Sequence, residues 1–271
     1  MTASLTQEQL RATALHNYRA RWRRIVLQTL AVMAVIGTAS WYVNLLDIEL
    51  LLDGIPAILT LMAESLPPDF TNVQTWLRPL LDTLAMSIAG TALAISLSFP
   101  IAFLAARNTS PHPAIYFVAR TLLNGLRSIP ELIMGIIFVA AVGFGALPGV
   151  LALGLHSIGM VGKFFAESIE HVDNAPVEAA RAAGASPMQV LWHAVIPQVL
   201  PQFADVSIYR WEYNFRASTV MGMVGAGGIG FELMGSLRIM QYQEVSAILL
   251  MILLMVTLVD GFSGYLRKAF K

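Results

Sequence analysis

The chain has 271 residues, 56% of them hydrophobic and 13% charged, and its 17 basic and 17 acidic side chains cancel. Soluble domains carry about 25% charged residues, so a water-soluble enzyme with a polar shell is excluded, and the apolar content excludes a disordered chain. With no cysteine there is no disulfide, thiolate metal site or cysteine nucleophile, and the charge balance argues against a nucleic-acid partner.

A membrane-spanning helix needs about 20 mostly apolar residues. A basic segment carrying Arg11, Arg19, Arg21, Arg23 and Arg24 precedes Ile25–Leu46, a run of 22 uncharged residues. That run is longer than the core of a signal peptide and reads as a retained first helix. Residues 49–66 read as an interfacial or partly re-entrant helix, because their polar residues are too frequent for a span. Thr83–Ala106 is uncharged over 24 residues, and Leu132–Gly162 over 31. With its flanks the second run supplies two spans, broken near Phe144–Gly149. Ala182–Ala204 is free of acids, lysines and arginines but carries Pro187, Pro197 and Pro201. Val245–Val259 opens the last apolar run. The spans predicted are 25–46, 79–106, 115–143, 148–169, 190–220 and 243–266. The fold class is therefore an all-α membrane protein with about six transmembrane helices. A basic N-terminus (1–24) leads into a first helix with an interfacial segment (25–74), and the main core (75–271) follows.

Lysines and arginines near span ends set orientation. The N-terminal arginines, Arg107, Arg181 and the group Arg267, Lys268 and Lys271 put both termini and the loops 107–114 and 170–189 in the cytoplasm. Segment 47–72 has no basic residue and five acids, and falls outside with the stretch 222–242.

Several chemistries find no support. None of Lys163, Lys268 and Lys271 follows the glycine spacing of a phosphate-binding loop, so no nucleotide is hydrolysed through that motif. The histidines His16, His112, His156, His171 and His193 show no zincin pairing. No nucleophile elbow is present, and no metal site is expected. Gly225, Gly227, Gly228 and Gly230 lie in a string that fits G-x-G-x-x-G, but it follows a span and not a strand, so the dinucleotide reading fails on context. Small residues there suit a tightly packed loop, a candidate gate or docking surface.

The most informative segment is the cytoplasmic loop 173–189. Asp173 or Asn174 can cap a helix and Pro176 suits its first turn. Glu178 lies near the positive helix end, Ala179, Ala180, Ala182 and Ala183 are strong helix formers, and Gly184 supplies a C-terminal turn. Ser186 to Gln189 forms a capping box for a second helix. A short alanine-faced helix of this kind either docks a partner protein or is an ordinary turn between spans.

Glu178-Ala179-Ala180, Gly184 separated by nine residues from Ala194, and Pro197 together resemble the EAA loop of ABC-importer permeases. Ala194 and Ile196 depart from that pattern but stay apolar. The resemblance implies a type I importer core, similar to methionine permeases, over residues 75–271. It further implies a coupling helix built on Glu178, Ala179, Ala180, Arg181 and Gly184. Its implied partners are a second permease copy, two ATPase subunits that bind ATP and Mg, and a periplasmic or lipid-anchored binding protein. It places the chain in a bacterial inner membrane, with no catalytic residue or cofactor of its own. The runs Arg127–Leu132, Tyr209–Val220 and Gly225–Phe231 are similar to those of phosphonate-importer permeases. The implied cargo is a small oxyanion such as a phosphonate, phosphite or phosphate ester; methionine permeases share only the loop and the glycine-rich ending. An ion-gradient transporter would explain the spans but not the EAA loop.

Charged side chains within spans are costly and face protein or a water path. Arg127 can pair with Glu131, Lys163 with Glu167, and Glu212 with Arg216, each four residues on. Arg210 is left without a helical partner. Arg127, Arg210, Glu212 and Arg216 are the candidate path residues, the alternative being ion pairs that lock spans together.

Overall fold

A computed structural model describes residues 7–269, with side chains from Leu15 onward. Expectations for residues 1–6, the Arg11 side chain and Lys271 lie outside the described residues. The chain falls into two compact units, 1–63 and 64–271.

The first unit holds α1 (Gln7–Tyr42) and α2 (Ile48–Glu64), which ends at the boundary. The α1 side chains Leu27, Val32, Val35 and Ile36 are all exposed, as expected of an apolar helix whose solvent is lipid. The Asp47 carboxylate accepts from the Leu50 amide at 3.1 Å and starts α2.

The second unit holds α3 (Val73–Ala105), α4 (Pro113–Ser128), α5 (Glu131–Val142), α6 (Ala146–Glu170), α7 (Asn174–Ala182), α8 (Pro187–Val190), α9 (Ile196–Met221), α10 (Ile229–Arg238) and α11 (Tyr242–Ala269). Helix α6 is the hub, packed on α3, α4, α5 and α9. Its small residues permit that crowding. A Cβ on Gly159 would stand 2.7 Å from the α4 backbone at both Leu123 O and Arg127 N. At one end of the core Phe165 stacks on Phe203 with ring centroids 3.9 Å apart. Trp76, Leu80, Ile229 and Ile248 form a separate cluster.

Among the described residues four helices are long and apolar enough to cross a membrane, Leu15–Tyr42, α3, α6 and α11. The number is six if each of two bent helix pairs counts as one span. The predicted 115–143 span is one of those pairs, α4 and α5 meeting at 84°. Pro130 forces Ile129 out of the helical region, to φ −89° and ψ 120°. The other bent pair is the run Pro187–Ala226 followed by α10, at 58°. The break foreseen near Phe144–Gly149 falls at Gly143 and Gly145, both with positive φ.

Candidate functional site

The loop 173–189 forms the helix and turn its residues call for. Asp173 caps α7, its carboxylate accepting from the Ala175 amide at 3.0 Å. Gly184, at φ +81°, ends it. The Gly184 amide donates to Arg181 O at 2.9 Å and the Ala185 amide to Ala180 O at 3.1 Å. This is the Schellman pattern, which needs a left-handed residue. No atom lies within 4 Å of a Cβ at Gly184, so conformation and not crowding demands the glycine. Ser186 and Gln189 form the reciprocal capping box of α8, with the Ser186 amide donating to Gln189 Oε1 at 2.8 Å. Sequence reasoning missed Gln198 of α9. It accepts from the Asp173 amide at 2.9 Å and donates back to Asp173 O at 3.3 Å, pinning the start of α7. Val177 is buried, whereas Glu178, Ala179 and Arg181 face outward. Beside them lies a cleft of about 790 Å³ whose walls include Phe103, Val177, Arg181, Met188 and Leu191.

A π-helical turn, Leu191–Val195, joins α8 to α9, so one helical run leads from the loop into the intramembrane polar groups. Arg210 is 4% exposed. Its Nε donates to Ser157 Oγ of α6 at 2.8 Å, and its guanidinium carbon sits 4.2 Å from the centre of the Tyr213 ring. Its Nη2 is buried with no partner. Among the described residues no carboxylate comes within 4 Å of this guanidinium. An arginine at a helix centre costs about 3 kcal/mol in a membrane. A desolvated cation–π contact returns about 2 kcal/mol, and the hydrogen bond to Ser157 about 1.5–3 kcal/mol.

The network continues on both sides. Ser157 donates to Asn214 Oδ1 at 3.0 Å and Asn214 donates to Thr91 Oγ1 of α3 at 2.9 Å. In the other direction the Tyr213 hydroxyl donates to Glu131 Oε1 at 2.7 Å. Glu131 Oε2 lies 3.1 Å from His156 Nε2, and His156 Nδ1 is 3.0 Å from Ile129 O. Glu131 sits in the first turn of α5, where a carboxylate is favoured.

Two expected pairs do not form. Arg127 is exposed and does not meet Glu131, because the helix breaks at Ile129–Pro130 between them and turns Glu131 toward Tyr213 and His156. Glu212 does not meet Arg216. Glu212 pairs instead with Arg267 of α11, and Arg216 with Asp260 at 2.9 Å. Asp260 and Arg267 are two turns apart on α11, so the antiparallel helices bridge twice. The Lys163–Glu167 pair forms at 3.7 Å. Arg127, Arg210, Glu212 and Arg216 thus occupy separate surroundings and not one cluster.

The glycine string forms a second π-helical turn, Gly222–Ala226, and the start of α10. Gly225, Gly227 and Gly228 have φ of +102°, +74° and +73°. A Cβ on Gly230 would lie 1.8 Å from Thr219 O. Thr83 of α3 accepts from the Ile229 amide at 2.9 Å and so caps α10 across the core.

A capped loop thus feeds a polar interior within an all-helical core. Residues 98–271 match the model of the "binding-protein-dependent transport system inner membrane component", and the chain belongs to that family. Among curated relatives it is 72% identical over 268 residues to the phosphite transport system permease protein PtxC of Stutzerimonas stutzeri, covering 99% of this chain and 97% of that one. It is 43% identical over 218 residues to the phosphate-import permease protein PhnE of Mycolicibacterium smegmatis, covering 80% of this chain and 41% of that one. Its fold is that of the permease in an inward-facing structure of the MetNI methionine ABC transporter, with a TM-score of 0.64, 21% identity and coverage of 74% and 99%.

Proposed function

We propose that this chain is the permease subunit of an ATP-driven importer for a small phosphorus oxyanion, with phosphite as the preferred cargo. The observation that carries the substrate reading is the near full-length likeness to a phosphite permease. The chemistry of Arg210 agrees with it. A tetrahedral oxyanion crossing a membrane needs donors that replace its lost hydration, and a guanidinium with a free Nη offers them in a fixed fork. Arg210 is assigned here as a transient contact on the path. Glu212 and Arg216, each engaged by α11, tie the last two long helices together.

Energy arrives from a separate ATPase, which binds ATP and Mg, through the face of α7 bearing Glu178, Ala179, Ala180 and Arg181. Gly184 and the Gln198–Asp173 pair make that face one piece with the base of α9. Displacement of α7 therefore moves the helix that carries Arg210. A second copy of the chain completes the path, and a binding protein delivers cargo to the face bearing the glycine loop 225–230. The arginines Arg19, Arg21, Arg23 and Arg24 and the pair Arg267 and Lys268 support a reading with both termini in the cytoplasm.

The test is uptake of phosphite, methylphosphonate, phosphate and methionine by proteoliposomes that hold the chain with its ATPase and binding protein. ATP-dependent uptake with phosphite preferred supports the reading; methionine preferred, or no dependence on ATP, overturns it. Mass measurement of the intact complex tests the pairing. Two copies of this chain are expected, and one copy beside a different permease would refute the self-pairing.

A further inference from the structure

Resting on the oxyanion-permease reading, we propose that Arg210 is a concealed anion subsite and that Tyr213 is the lid over it, latched by Glu131 and His156. The guanidinium is 4% exposed while the ring that covers it is only half-buried, and the neighbouring Tyr209 is exposed. The ring therefore lies on the open side of the cation. Arg210 and Tyr213 are one turn apart on α9, so no movement of the helix separates them; only a swing of the Tyr213 side chain does. That swing is opposed by the ring's own contact with the guanidinium and by one hydrogen bond, from the Tyr213 hydroxyl to Glu131 at 2.7 Å. Glu131 is itself held at 3.1 Å by His156 of α6.

Four acids on the surrounding helices are engaged with other partners. Glu212 is on Arg267, Asp260 on Arg216, Glu167 on Lys163, and Glu131 on Tyr213 and His156. The cation is thus stored against a neutral ring with one donor, Nη2, unused. An arriving oxyanion takes that donor and the place of the ring. The latch also joins the bend between α4 and α5 to α6 and α9, so a change in that bend withdraws Glu131 and frees the lid. Tyr213, Glu131 and His156 are positioning residues, and Arg210 is the group that touches cargo.

The test is residue-resolved labelling of arginines with phenylglyoxal in the full chain, assembled with its ATPase in lipid nanodiscs and read by peptide mass spectrometry. In the wild type Arg210 labels slowly. In Tyr213→Phe and in Glu131→Ala its labelling rises about tenfold, the population change expected when one charge-assisted hydrogen bond is removed. Ser157→Ala, which cuts the contact on the closed side, leaves it within about twofold. Millimolar phosphite suppresses the added labelling and methionine does not. Arg120, salt-bridged to Glu170 at 2.9 Å, reports on folding. If its labelling rises in one latch variant, the other latch variant decides. Equal Arg210 labelling in wild type and Tyr213→Phe overturns the lid. Labelling that rises but ignores phosphite overturns the subsite. If the wild type instead shows no ATP-driven phosphite uptake, the permease reading itself has failed, and the subsite with it.

Discussion

Replacing Arg210 with methionine separates a transport role from a structural one. The burial cost of the charge, about 3 kcal/mol, is offset by the Tyr213 ring and the Ser157 hydrogen bond at about 2 and 1.5–3 kcal/mol. Removing the whole set therefore changes stability by about 0.5–2 kcal/mol. Arg267→Met is the control. It strands the Glu212 carboxylate, whose side chain is 8% exposed, at a cost of about 3–5 kcal/mol. For a chain of this size that difference is roughly 10 °C in melting midpoint. Phosphite uptake should fall about tenfold to hundredfold in Arg210→Met, the worth of one charge-assisted hydrogen bond. The assay is a thermal melt of each purified variant beside uptake in proteoliposomes at equal protein. If Arg210→Met melts as low as Arg267→Met, the arginine is holding the fold and the reasoning fails.

Three further outcomes are expected. Gly230→Ala drives a Cβ to within 1.8 Å of Thr219 O and should cost at least about 3 kcal/mol, the upper end for overpacking. Gly235→Ala, in the same helix with nothing within 4 Å, should stabilise by about 0.5–1 kcal/mol; paired thermal melts check both. Gly184→Val meets no atom and bears only the left-handed backbone cost of about 1–2 kcal/mol, so the melt falls by about 2–8 °C while cargo-stimulated ATPase activity is lost. Glu178→Arg, on an exposed surface, should leave the chain inserted and monodisperse but without bound ATPase on size-exclusion chromatography.

The long apolar helices and the capped turn at 173–189 were legible because local chemistry dictates them. Long uncharged runs favour apolar helices, and Asp173, Gly184, Ser186 and Gln189 specify the caps of α7 and α8 through neighbours a few residues away. The pairing of charges was not legible in the same way. Helical spacing offers Arg127–Glu131 and Glu212–Arg216, but spacing is silent about competing partners on other helices. Pro130 is a signal that the first of these helices breaks. Asp260 and Arg267, seven residues apart, are a signal that α11 offers a rival face to α9. His156, Ser157, Tyr213 and Asn214 gave no local sign of their joint role, because they come together only when α6 and α9 pack. Gln198 likewise reads as an ordinary polar residue until α7 folds back against it.

The most direct test of the central claim is phosphite uptake by proteoliposomes with ATP clamped inside, with and without a protonophore. The account predicts uptake that stops when ATP is omitted, persists with the protonophore and is lost in Gly184→Trp. Uptake that persists without ATP and collapses with the protonophore would show a gradient-driven carrier and contradict it.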